Sequence, residues 1–120
     1  MKKILTVDDS ASMRAMVVFT LKGEGFDVTE AVNGKEGLDK AKAGNYDLII
    51  SDVNMPIMNG IEFVTNVRQE EKYRFTPILM LTTESGTDLK QQGHAAGATG
   101  WIVKPFDPQK LIAVVRKVVR

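Results

Sequence analysis

The stretch Ile4-Leu5-Thr6-Val7-Asp8-Asp9 decides how this sequence is read, and Leu48-Ile49-Ile50-Ser51-Asp52 repeats its plan further along. Each is an almost wholly apolar run of strand length that stops abruptly on carboxylates. Such runs suit central strands of a parallel sheet, which helices cover on both faces. The carboxyl ends of those strands open onto the crevice where α/β sheets bind ligands. If the two strands are neighbours, Asp8, Asp9 and Asp52 meet there. Three negative charges so close are unfavourable unless a cation or a proton neutralises them. The chemistry that calls for such a cluster is a hard metal ion with a phosphoryl group.

Working outward, apolar runs recur at Ile78 to Leu81 and Trp101 to Val103, with a mixed run at Asp27-Val28-Thr29-Glu30-Ala31. Between them lie segments with helical spacing. Met13, Met16, Val17, Thr20 and Leu21 line one helix face, and Leu111, Val114, Val115 and Val118 another. The second follows Asp107-Pro108, an N-cap with a first-turn proline. Asn33 with Glu36, and Asn59 with Glu62, pair a capping residue with an acid three positions on. Gly23 and Gly25 suit the end of the first helix, and Gly44 the end of the second. Strands therefore alternate with helices, which predicts an α/β fold: a single doubly wound five-stranded parallel sheet with five helices. The mixed second strand belongs at an edge. The flavodoxin-like order 2-1-3-4-5 satisfies this and sets the first and third strands side by side. The fourth helix, Thr87 to Ala96, is the weak element. Its clearest apolar residues are Leu89, Ala95 and Ala96, and Gly93 lies inside it. An interior glycine costs a helix about 1 kcal/mol relative to alanine, so this helix should be marginal and easily repositioned.

The 120 residues have room for one domain, spanning 1–120, and 43% hydrophobic with 26% charged residues are the proportions of a packed globular fold. A net charge of +1 provides no field toward nucleic acid or membrane. The absence of cysteine excludes disulfides and thiolate metal sites, as fits a reducing compartment. The apolar run after Met1-Lys2-Lys3 ends at Asp8, too soon for a signal peptide, and no stretch approaches the roughly 20 apolar residues of a membrane span. The expectation is a soluble, cytoplasmic monomer.

Because Asp8 and Asp9 are adjacent, the chain must already be turning there, and capping of the first helix is the competing role for one of them. Lys104 and Thr82 also fall at strand ends. The lysine can form a plain salt bridge or meet a phosphoryl oxygen; the threonine can shape a turn or donate to that oxygen. Mg²⁺ wants six oxygens, usually one or two carboxylates with waters and phosphate. Asp9, Asp52 and a backbone carbonyl of the loop Val53 to Gly60 can supply the protein's share. With charge so absorbed, a carboxylate can attack phosphorus and form an aspartyl phosphate. Trp101 is expected in the core but partly exposed on an edge strand, and His94 on the surface, where it can assemble no zinc site.

Asp8-Asp9, Asp52, Met55-Pro56 with Gly60, Thr82 and Lys104-Pro105-Phe106 resemble the two-component response-regulator receiver domain along the whole chain. Ser12-Met13-Arg14, Ser51 to Pro56 and Gly97 to Phe106 are most similar to stand-alone chemotaxis regulators of the CheY type. The resemblance implies phosphorylation of Asp52 by a histidine kinase, with Asp8, Asp9, Asp52 and the carbonyl of Asn54 around Mg²⁺. It implies that Lys104 and Thr82 contact the phosphoryl group and that Lys104-Pro105 is a cis peptide. It also implies that Asn54 and Glu84 tune self-dephosphorylation, to a phosphoryl lifetime of seconds to minutes.

Three departures from the family pattern touch the site or the output face formed by the fourth helix, fifth strand and fifth helix: Trp101 where tyrosine or phenylalanine is usual, Ser10 for an aromatic, and Thr83 for a smaller residue. The expected output is protein–protein binding, to the flagellar motor switch or to another target. A phosphate sink or an adaptor is the competing role, and no classical enzyme is expected. A haloacid-dehalogenase phosphatase needs an aspartate where Asn54 stands. A flavodoxin-like cofactor binder needs a phosphate-cradling loop, which Asp8-Asp9 oppose, and Gly23-Glu24-Gly25 follows a helix rather than a strand.

Overall fold

The computed structural model describes residues 1–83 and 87–119, the side chains of 87–89 excepted. Its strands and helices alternate as the sequence pattern requires: β1 (Lys3–Val7), α1 (Ala11–Gly23), β2 (Asp27–Ala31), α2 (Gly34–Ala43), β3 (Leu48–Asp52), α3 (Gly60–Arg68), β4 (Ile78–Thr82), α4 (Thr87–Ala96), β5 (Gly100–Val103) and α5 (Pro108–Val118). The sheet is parallel throughout, in the order β2-β1-β3-β4-β5. In register, Val7 of β1 faces Ser51 of β3, so the segments after both strands emerge side by side.

Alternation along each strand divides the apolar residues between two cores. Leu5, Val7, Ile49, Ile78 and Met80 pack with Ala41 of α2 and Phe63, Val64 and Val67 of α3. Ile4, Leu48, Ile50, Leu79, Leu81 and Ile102 pack with Val17 and Leu21 of α1 and Leu111 and Val115 of α5. Full burial of such a side chain is worth about 1.5–3 kcal/mol, and every residue of β3 and β4 is buried. The sheet's two faces are thus both dry, which is why those runs carry almost no polar residue.

The helix ends follow their capping residues. Asp107 caps α5 by accepting from the Lys110 N–H, and Asn59 with Glu62 forms a complete capping box at α3. At α2, Asn33 accepts from the Glu36 N–H, but the Glu36 carboxylate reaches back one residue further, to the Val32 N–H. Glu24 closes α1, and Gly25, with φ +91°, lets the chain turn into β2.

A short 3₁₀ turn at Glu71–Tyr73 is an element that apolar spacing does not announce. It is held by two long side chains. The Tyr73 hydroxyl donates to the carbonyls of Ala41 (2.6 Å) and Gly44 (3.0 Å). Arg68, at the end of α3, donates to the carbonyls of Tyr73, Thr76 and Gly97. Burial lowers the Arg68 pKa from its ordinary value and raises that of Tyr73.

Candidate functional site

The crevice begins where β1 ends. The Asp8 N–H continues the ladder to the Ala31 carbonyl, and the Asp8 carboxylate accepts from the Ser10 N–H at 2.9 Å. Ser10, not Asp8 or Asp9, caps α1, accepting from the Met13 N–H at 3.3 Å. A hydroxyl already sits at the cap position, which frees both carboxylates for the crevice. Asp8 is buried and Asp9 exposed, the difference expected of adjacent side chains at a turn. Arg14 braces the turn, donating to the Asp8 carbonyl at 2.7 Å while pairing with Glu30 at 3.0 Å.

Asp52 closes β3 with only 7% of its surface exposed. Its Oδ1 accepts from the Val53 N–H at 2.9 Å. Behind it, Gly60 approaches so closely that a Cβ there would lie 2.2 Å from the Asp52 carbonyl oxygen. That approach is the physical reason for glycine at the start of α3. Between them Ile57 is exposed at φ +73°, a left-handed conformation that costs a β-branched residue about 1–3 kcal/mol. No feature of the sequence marks this strain, since isoleucine is not the residue such a φ favours.

Lys104 reaches the cluster from beyond β5. Its backbone N–H donates to the Thr82 carbonyl at 2.6 Å, and its bond to Pro105 is cis. Its ammonium lies 3.2 Å from Asp52 Oδ1 and 3.4 Å from Asp8 Oδ2. The Asp52 pKa is raised from its ordinary 3.8 first by burial and then by the Asp8 charge; Lys104 and the Val53 N–H pull it the other way. Desolvation and repulsion outweigh the lysine, so the cluster still needs positive charge.

Asp8, Asp9 and Asp52 each offer one oxygen, and those oxygens lie within 4.8 Å of one another. Oxygen-only donors around an excess of negative charge fit a hard dication such as Mg²⁺. Asn54, whose carbonyl is the further candidate ligand, lies in the exposed loop two residues after Asp52.

The remaining candidates sit around this core. Thr82 is buried at the end of β4, while Thr83 is exposed; Glu84 lies outside the described residues. Trp101 is partly buried and packs against the α2–α3 core, as Ala96 and Ala98 do. Its indole N–H is buried with no partner among the described residues, which costs about 1–3 kcal/mol. His94 is exposed.

A profile of the response regulator receiver domain matches residues 4–116. The chain belongs to this family. It is 54% identical to the Vibrio cholerae chemotaxis protein CheY4, whose structure superposes with a TM-score of 0.96 over 98% of each chain. It is 39% identical, over its full 120 residues, to the response regulator ArlR of Staphylococcus saprophyticus, but covers only 53% of that protein, so it spans about half the length of the curated relatives it matches. The receiver domain of the sensor histidine kinase PA1611 of Pseudomonas aeruginosa, which carries a magnesium ion in its active-site cleft, shares the fold at 24% identity with a TM-score of 0.91 over 98% of this chain and 97% of that one. Receiver domains belong to two-component signalling and are not classical enzymes. Among the described residues, no helix is long and apolar enough to cross a membrane.

Proposed function

We propose that this receiver domain accepts a phosphoryl group on Asp52 from a histidine kinase and signals through phosphorylation-dependent protein binding in the cytoplasm. The observation that carries the reading is the crowding of Asp52 with Asp8 and Asp9 under a single bridging lysine. An Asp52 carboxylate oxygen attacks phosphorus; the new O–P bond forms as the P–N bond to the donor imidazole breaks, and the imidazole takes a proton as it leaves. Asp8, Asp9, Asp52 and the Asn54 carbonyl would hold Mg²⁺, which would supply positive charge to offset that of the phosphoryl group. Lys104 exchanges part of its pairing with Asp8 and Asp52 for a phosphoryl oxygen, and the Thr82 hydroxyl donates to another. Burial excludes bulk water from the new acyl phosphate, and Asn54 with Glu84 sets its lifetime at seconds to minutes.

The phosphate adds about −1.5 to −2 charge at Asp52. Thr82 moves toward it and Trp101 follows into the space, favouring a second arrangement of α4 and of the face it forms with β5 and α5. Incubation with acetyl phosphate and Mg²⁺ is expected to add one phosphoryl group that strong acid and base both release, as from an acyl phosphate, and to change Trp101 fluorescence. Asp52→Asn should abolish the label; a label retained by that variant would mean another nucleophile.

The 54% identity to a chemotaxis protein over nearly the whole chain supports a role in chemotaxis with the flagellar motor switch as target. The match to half of a longer regulator supports a second reading, a receiver with a non-motor output. Capture by an N-terminal motor-switch peptide, strengthened by phosphorylation, is expected on the first reading; no capture in either state favours the second.

A further inference from the structure

We propose that Gly93 is the seat of the Trp101 indole, and that the two residues form a latch fixing α4 against the sheet. Glycine in a helix interior is unfavourable by propensity, so a buried one in a helix already poor in apolar residues needs a packing reason. The reason is the distance across the interface. A Cβ at position 93 would lie 2.5 Å from Trp101 Cζ3 and 3.4 Å from both Cε3 and Cη2. All three atoms belong to the six-membered ring, which is rigid and cannot bend aside as a long aliphatic tip would. The ring edge therefore rests on bare helix backbone.

The surroundings fit that contact. Ile102 of β5 faces the α1–α5 core, so Trp101 faces the opposite one, against which Ala96 and Ala98 also pack. At the far end of α4, Arg68 holds the Gly97 carbonyl. The helix is thus pinned at its C-terminal end by a guanidinium and at its middle by an indole. The second pin opposes itself, because the packed ring leaves its N–H buried without a partner among the described residues. Swinging outward would return that N–H to water, so the latch holds by shape while polarity favours its release. Gly93 is a positioning residue for α4, and the tryptophan at position 101 requires it.

The latch belongs to the resting protein and needs neither phosphodonor nor metal, so its loss and a loss of phosphorylation are separate outcomes. Trp101 is the only tryptophan, which makes its emission a direct reporter. In the unphosphorylated full chain, Gly93→Ala is expected to red-shift that emission, to increase quenching by acrylamide and to lower the urea midpoint, although alanine is the better helix former. In a Trp101→Ala background the same change should raise the midpoint. A Gly93→Ala variant with unchanged emission and quenching, or with a raised midpoint in both backgrounds, overturns the latch. Should Gly93→Ala fail to fold, recovery of folding in the Gly93→Ala/Trp101→Ala double variant supports the proposal; failure of the double variant as well overturns it.

Discussion

Replacing Lys104 by methionine removes the ammonium that bridges Asp8 and Asp52 and keeps a side chain of similar reach. At the observed separations of 3.2 and 3.4 Å, each pairing carries about 5 kcal/mol of Coulomb attraction at an effective dielectric constant of 20. The gross loss of about 10 kcal/mol is more than halved once the lysine no longer has to be desolvated and immobilised, leaving the roughly 3–5 kcal/mol typical of a broken buried pair. For a domain of this size that lowers the melting temperature by about 10–20 °C. The loss also has a pH signature. Burial and Asp8 already raise the Asp52 pKa above 3.8 with the lysine opposing them, and without it the shift grows. A carboxyl whose folded pKa lies above its unfolded one binds its proton more tightly when folded. Its contribution to stability therefore falls as pH rises from the unfolded pKa through the folded one. Acidification toward 3.8 should neutralise Asp52 and narrow the gap between Lys104→Met and the parent. Urea denaturation of both proteins at pH 7 and near pH 4.5 measures this. A gap below about 1 kcal/mol at pH 7, or one that widens on acidification, would refute the electrostatic account.

By the same sign, Asp52→Asn should raise the urea midpoint at pH 7, with the gain shrinking as pH falls to 3.8; a gain independent of pH would point to packing instead. Gly60→Ala would drive a Cβ into the Asp52 carbonyl oxygen and into Val53 Cα, 2.8 Å away. Backbone cannot yield as a side chain does, so a loss of about 1–3 kcal/mol and slower labelling by acetyl phosphate are expected, read by urea melts and mass spectrometry. Arg68→Met deprives the carbonyls of Tyr73, Thr76 and Gly97 of their donor and should cost more than about 2 kcal/mol, measurable by calorimetry.

Much of this molecule is legible in its sequence, because the dominant signals are local. The apolar runs name the strands, and the mixed Asp27–Ala31 run correctly places β2 at the sheet's edge. Asn59, Asp107 and Asn33 mark their helix starts through hydrogen bonds to residues close in the chain. The acidic cluster is legible because three carboxylates at strand ends have no good structural excuse. Less legible is whatever depends on distant partners. The bracing role of Arg68 leaves no mark in the sequence, because only the fold brings Gly97 to it. The role of Gly93 requires the Trp101 ring, and the strain at Ile57 contradicts local preference. Ser10 takes the cap, the competing role for one of the two aspartates, because the turn geometry, rather than residue rank, decides which oxygen meets the Met13 N–H.

The uninterrupted burial of β3 has a mechanical consequence. Asp52 stands at the tip of the strand that lies in the middle of the sheet, clamped by β1, β4 and both cores. The face that would report its charge lies at the sheet's margin, where β5 has a single neighbouring strand. Stiffness therefore declines from the reactive atom outward. Backbone amides should exchange with solvent slowest in β3 and progressively faster through β4 and β5 to α4. A charge added at the rigid centre deforms the centre little, so the displacement it causes collects at the yielding rim.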